Sequence, residues 1–252
     1  MKDDEWQARK DLAACYRLVA GMGLDDLIYN HISMRVPGTD DQFLINPYGM
    51  LFDEITASSL VKIDINGIKI DESPFEVNAA GFVIHGAVHK ARPDAHCVLH
   101  VHSTAAVAVA SQKSGLLPLS QFAMWFWKRQ GLHDYEGVAL DMEERVRIVE
   151  NLSSHPVLLM RNHGVLTVGR NPAEAFMMLY YFERAAAIQL ALQAAVASGE
   201  DAALCIPPVD VCDRAAGQFH GQAGDIMAPG AREWAGLLRR LDRSAQLPDY
   251  RS

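Results

Sequence analysis

The segment "CVLHVHSTAAV", residues 97–107, sets His100 and His102 two positions apart inside an otherwise apolar run. Extended backbone sends successive side chains to opposite faces, so both imidazoles share one face, about 6–7 Å apart along the strand. Cys97, Leu99 and Val101 then take the other face and pack into a core. Two polar rings so placed are either hydrogen-bonded core histidines or ligands turned toward one divalent ion, which imidazole nitrogen binds at roughly 2.0–2.1 Å. His163, held between Asn162 and Gly164 in "HPVLLMRNHGVLTVG", is the third candidate. Gly164 suggests a backbone conformation or a close approach that a side chain would block. Three histidines from two turn-bounded strands make a facial site with open positions, which a catalytic metal needs. Of the ten histidines, His89, His96, His155 and His220 read as surface or loop residues, and His85 as a buried packing residue on a helix.

Around this segment the chain alternates helical and extended patterns. Apolar residues at Leu12, Cys15, Tyr16, Val19 and Met22 mark one face of a helix over 5–22, ended by Gly21 and Gly23. "NHISMRV" and "QFLIN" predict two short strands joined by "PGTDD", and "SLVKIDINGIKI" a hairpin turning at Asn66-Gly67. "AAGFVIHGAVHKA" reads as a helix, "AHCVLHVHS" as a strand, and "STAAVAVASQK" as a helix capped by Ser103 or Thr104. In "LDMEERVRIVENL" Asp141 and Glu144 have capping-box spacing. Asn171, Pro172 and Glu174 open a long helix running to Gly199. "CIPPVDVC" breaks the structure, and the tail ends in one amphipathic helix, roughly "GAREWAGLLRRLDRS". Interleaved helices and hairpin-joined strands predict an α/β fold with a mainly antiparallel central sheet and helices on its faces.

The formal net charge of -8, without a basic run, argues against a nucleic-acid surface. No window has the roughly 18 uninterrupted apolar residues a membrane helix requires. The acidic start "MKDDEWQARKD" does not read as a signal peptide. Four scattered cysteines without CxxC spacing suggest reduced thiols, so a cytoplasmic location is expected.

"ARPDAHCVLHVHS", followed about sixty residues later by "LLMRNHGVLTVG", resembles the class II aldolase/adducin N-terminal family. The resemblance spans about residues 8–200. "LIYNHISMRV", "NPYGMLFDEITASSLVKI", "VNAAGFVIHGAVHKARPD" and "HDYEGVALDMEERVRI" resemble its adducin-type branch more than the sugar-phosphate aldolases. The resemblance implies a three-layer α/β/α sandwich over 1–200. Residues 201–252 then form a C-terminal extension packed on the same domain or on a neighbouring subunit. It also implies a homotetramer with active sites at subunit interfaces, and makes His100, His102 and His163 the ligands of a divalent metal, zinc or manganese.

Departures from the aldolase pattern narrow the chemistry. The aldolases place an acidic residue nineteen positions before the first metal histidine; here that position is Gly81. The two preceding serines that hold substrate phosphate are Ala79 and Ala80, the aldolase "GN" is Asn30-His31, and the phosphate loop is "NPYG", with Tyr48 and Gly49. Phosphate recognition needs several converging N–H and O–H donors, so a phosphorylated sugar is not expected. His31, Tyr135 and Glu76 are the candidate acid/base residues, His31 because an imidazole titrates near neutrality. Asn30, Ser33, Tyr48, Gly49, Gly81 and Trp125 are the candidate substrate contacts, the last within the aromatic run "FAMWFWKRQG", which otherwise packs an interface.

Two functions remain open. The first is a divalent-metal-dependent lyase of decarboxylase or aldolase type. It acts on a small non-phosphorylated hydroxy or keto acid, aromatic acids included, through a metal-stabilised enediolate or carbanion. Decarboxylation would not need the missing carboxylate base. The second is a non-catalytic, adducin-like oligomeric interaction module.

Overall fold

The computed structural model describes residues 2–137, 143–197, 204–221, 228–244 and 249–252. Helix α1 (Asp3–Ala20) has Asp3, Asp4 and Glu5 in its first turn and Arg17 in its last, charges that oppose the helix dipole at both ends. The elements after it are β1 (His31–Arg35), β2 (Gln42–Ile45), β3 (Val61–Asp64), α2 (Ala79–Ala91), β4 (Cys97–Val101) and α3 (Thr104–Ala110). Then come β5 (Gln130–His133), α4 (Glu144–Leu152), β6 (Val157–Met160), β7 (Gly164–Gly169), α5 (Pro172–Ala197), α6 (Val209–Phe219) and α7 (Glu233–Arg243).

Among the described residues the strands form one seven-stranded sheet, ordered β3-β2-β1-β4-β7-β6-β5. Its other neighbours pair antiparallel, but β5 and β6 run parallel. The sheet is therefore mixed, which corrects the mainly antiparallel sheet expected from sequence. The cause is α4, which carries the chain from β5 across to β6; a parallel pair requires such a crossover.

Helices cover both faces, giving three layers. Cys97, Leu99 and Val101 pack with Leu12 and Tyr16 of α1, Ala106 of α3, and Phe176 and Phe182 of α5. On the other face Val98 and Leu166 pack with Ile84 of α2 and Ile148 of α4. The period-two reading of β4 thus holds, with His100 on the α2 side.

Local readings fared unevenly. Asn171 caps α5, its Oδ1 accepting from the Glu174 amide at 2.9 Å. The Asn66-Gly67 turn forms with Gly67 at φ 81°, but its return limb makes only an isolated bridge, Ile63 to Lys69. Ser103 sits at the start of α3 without a side-chain cap; its hydroxyl donates instead to Glu183 of α5. Asp141 and Gly199 lie outside the described residues. Among the described residues the tail holds two helices rather than one, because Pro208 precedes α6 where its missing N–H costs nothing. Phe219 of α6 stacks on Trp125 (4.6 Å between centroids), and Trp234 of α7 donates to Asp11 of α1 (3.3 Å). All four cysteines are free. No helix among the described residues is long and apolar enough to cross a membrane.

One buried side chain fixes the strands that frame the sheet's centre. The Tyr16 hydroxyl accepts from the amides of Ile32 (2.9 Å) and Asn46 (3.1 Å) while facing the Ile32 carbonyl and Asn46 Oδ1. It ties α1 to β1 and to the end of β2, immediately beside His31. Tyr16→Phe leaves those amides unpaired, each at a cost of about 1–3 kcal/mol. Urea unfolding will show a lowered midpoint with an unchanged slope.

Candidate metal centre

Strands β4 and β7 are antiparallel partners, with Val101 opposite Val165, so the end of β4 and the β6–β7 turn come together. His100 is the penultimate residue of β4, His102 lies just beyond its end, and His163 sits in the turn. The Nε2 of His100 is 2.9 Å from Nε2 of His102 and 3.3 Å from Nε2 of His163. One ligand nitrogen from each ring falls within 4.8 Å of the others. Metal–nitrogen bonds of roughly 2.0–2.1 Å at octahedral or tetrahedral angles separate ligand nitrogens by roughly 2.9–3.4 Å.

Proton positions decide whether this closeness is a hydrogen bond or a ligand set. His100 Nδ1 lies 3.0 Å from the Val165 carbonyl, which only accepts, so Nδ1 carries the proton. His102 Nδ1 lies 3.0 Å from Asp26 Oδ2, and a carboxylate likewise fixes the proton there. Burial, with His163 beside it, holds His100 well below the ordinary imidazole range and therefore neutral. Burial also brings His163 down to about 4, with lesser contributions from His102 and His133. The bare Nε2 of His100 thus faces Nε2 of His102, and a divalent ion between the rings would be bound by both nitrogens. These residues fit a divalent ion.

The backbone makes the approach possible. A Cβ on Gly164 would collide with the Val101 carbonyl oxygen and come 3.1 Å from His102 Cδ2 and 3.3 Å from His100 Cε1. Gly164 is needed for close approach, not for a positive φ; that conformation belongs to Asn162, at 55°.

Other predicted site residues divide. His31 pairs with His100 across the sheet, their ring centroids 5.4 Å apart. Burial first, and then His102 and His163, lowers it to about 3. Asn30, adjacent, is buried, and its side-chain amide atoms have no partner among the described residues. Tyr48, Gly49 and Tyr135 lie on exposed loops, and Gly81 in the first turn of α2. Three others have partners within the chain. Glu76 is exposed and paired with Lys69 at 2.9 Å. Ser33 is fully buried, its hydroxyl held between His85 and His89 at 2.7 Å each, so it cannot touch a ligand. Trp125 is buried in an intrachain stack on Tyr181 and Phe219, neither a triad residue, because α6 folds over it.

Sequence reading missed Asp26, Glu183 and His89. Asp26 carries no local motif; only the general need of a metal histidine for an orienting acceptor points to one. Glu183 is a buried carboxyl raised by burial and bonded to Ser103, next to His102. His89 is buried rather than on the surface. Its spacing of four from His85 put both rings on one helical face, a signal available in the sequence.

Asp26→Asn keeps the shape but removes the carboxylate, and is expected to weaken zinc binding about 10–100-fold without unfolding the chain. Gly164→Ala pushes β4 from the turn and is expected to weaken zinc binding and to cost about 1–3 kcal/mol of stability. Zinc titration calorimetry and thermal melts measure both.

Known proteins share this architecture over the whole chain. The chain is 49% identical over 251 residues to a Caulobacter vibrioides protein whose name assigns it to aldolase class 2, covering 99% of this chain and 94% of that one. It is 40% identical over 251 residues to alpha-adducin of Rattus norvegicus, covering 96% of this chain but 34% of the adducin. The crystal structure of an aldolase II superfamily protein from Pseudomonas syringae superposes with TM-score 0.91 at 45% identity, covering 100% of this chain and 98% of that chain. The L-fuculose 1-phosphate aldolase of Glaciozyma antarctica shares the fold, at TM-score 0.81 and 24% identity, covering 95% and 90% of the two chains. Residues 10–190 match the Class II Aldolase and Adducin N-terminal domain, and the chain belongs to that family.

Proposed function

We propose that this chain is a divalent-metal-dependent carbon–carbon lyase acting on a small, non-phosphorylated hydroxy or keto acid, aromatic acids included. The observation that carries it is the convergence of the Nε2 atoms of His100, His102 and His163. A divalent ion held by these three neutral rings, zinc or manganese, would supply the Lewis acid for negative charge developing on a substrate oxygen.

The chain's own residues do the rest. Val165 and Asp26 hold two of the rings in the tautomer that offers Nε2. Asn30 brings buried donors and an acceptor with no partner among the described residues, beside His31. Ala79, Ala80 and Tyr48, where phosphate-binding aldolases carry hydroxyl side chains, support a substrate without phosphate. The proposed working form is a cytoplasmic homotetramer with sites at subunit interfaces. There the exposed Tyr135 of one copy would reach its neighbour's site, as the exposed Leu27 and Tyr29 near Asp26 also suggest. Residues 1–200 would form the domain and 201–252 an extension of it.

The test combines metal analysis with a substrate screen. About one zinc or manganese ion per chain is expected, together with carbon dioxide or aldehyde release from a hydroxy or keto acid. His163→Ala should lose turnover by about a hundredfold or more while the assembly persists. A second reading, a non-catalytic interaction module, is favoured by the adducin likeness and by Gly81 in place of the family carboxylate. It predicts that His163→Ala changes assembly or stability and that no acid is turned over.

A further inference from the structure

A continuous line of hydrogen-bonded groups runs behind His31, between β1 and α2. His31 Nδ1 lies 2.9 Å from His85 Nε2, and His85 Nδ1 lies 2.7 Å from the Ser33 hydroxyl. That hydroxyl lies 2.7 Å from His89 Nε2, and His89 Nδ1 lies 2.8 Å from the Ala95 carbonyl. All four side chains are buried, at 5% exposure or less.

The direction of the line follows from its last acceptor. A carbonyl oxygen cannot donate, so His89 Nδ1 carries a proton. Burial lowers His89 to about 3, helped by Arg35, so the ring is neutral and its Nε2 accepts. The Ser33 hydroxyl must then donate to His89, leaving its oxygen to accept from His85 Nδ1. His85, which burial also keeps neutral, has a bare Nε2, and only a proton on His31 Nδ1 can bond to it. Reversing any link would set two donors or two acceptors against each other inside the core, at a cost of at least one buried hydrogen bond.

We propose that His89, Ser33 and His85 are positioning residues that lock His31 in its Nδ1–H form, so that its free Nε2 edge accepts hydrogen bonds and cannot donate them. Among the described residues the His31 ring makes its hydrogen bond through Nδ1, and its ring lies beside His100. On the reading that a ligand binds at the triad, this edge sets its chemistry. A hydroxyl, water or amine can dock against it. A carboxylate or phosphate oxygen cannot, because lone pairs would face lone pairs. The ligand's hydroxyl therefore sits at His31, and any carboxylate lies elsewhere in the site.

Two-bond proton–nitrogen spectra of the full chain, labelled with 15N-histidine and loaded with zinc, read the tautomers directly. His31→Gln, His85→Gln and His89→Gln assign the signals by their loss. Wild type is expected to show a pyrrole-type Nδ1 and a pyridine-type Nε2 for His31, His85 and His89. A pyrrole-type Nε2 on His31 would overturn the proposal. Ser33→Ala should remove the pyridine-type Nε2 signal of His31 or split it between two forms; an unchanged His31 spectrum there would show that Ser33 only packs, and would equally overturn it. Neither readout depends on turnover. Predicted tautomers without turnover would sink only the lyase reading, and turnover with inverted tautomers would sink only the positioning chain.

Discussion

The convergence of the His100 and His102 Nε2 atoms, 2.9 Å apart, is the arrangement on which the rest of this site depends. The fold turns both toward one point by giving the far nitrogen of each ring an acceptor that claims a proton. That orientation comes from partners one step removed from the rings, the Val165 carbonyl and the Asp26 carboxylate.

The sheet supplies the stiffness this requires. His100 lies on a strand hydrogen-bonded on both sides, to β1 and to β7, near the middle of the sheet. Gly164 lets the β6–β7 turn close over the end of β4, and Tyr16 locks β1 at the height where His31 meets His100. Beneath, α2 contributes a second tier of histidines whose hydrogen bonds run in a single direction. The site thus consists of two coupled layers, a pair of ligand rings whose Nδ1 protons point away from the centre and a buried chain whose protons point toward Ala95.

Much of the layout was legible in the sequence, for identifiable reasons. The H-x-H of β4 has period two, and "NHG" before β7 marks a turn, so the triad follows from short-range pattern. The cap of α5 does too. What failed was non-local or overridden. Strand β5, only four residues long, has no clear alternation, so the crossover through α4 and its parallel pair went unseen. Two prolines in "CIPPVDVC" read as a break although the second introduces α6. Ser103 or Thr104 was expected to cap α3, but the Ser103 hydroxyl is turned toward a buried carboxyl on α5 instead of the helix amides. Ser33 and Trp125 carry substrate-contact chemistry in principle, and only burial shows that both are occupied inside the chain.

The central claim is that His100, His102 and His163 together hold one divalent ion through Nε2. X-ray absorption at the zinc edge of the zinc-loaded chain tests it most directly. The account predicts a first shell with three imidazole nitrogens at about 2.0–2.1 Å, reduced in His163→Ala. A shell containing thiolate sulfur, or one left unchanged by His163→Ala, would contradict it.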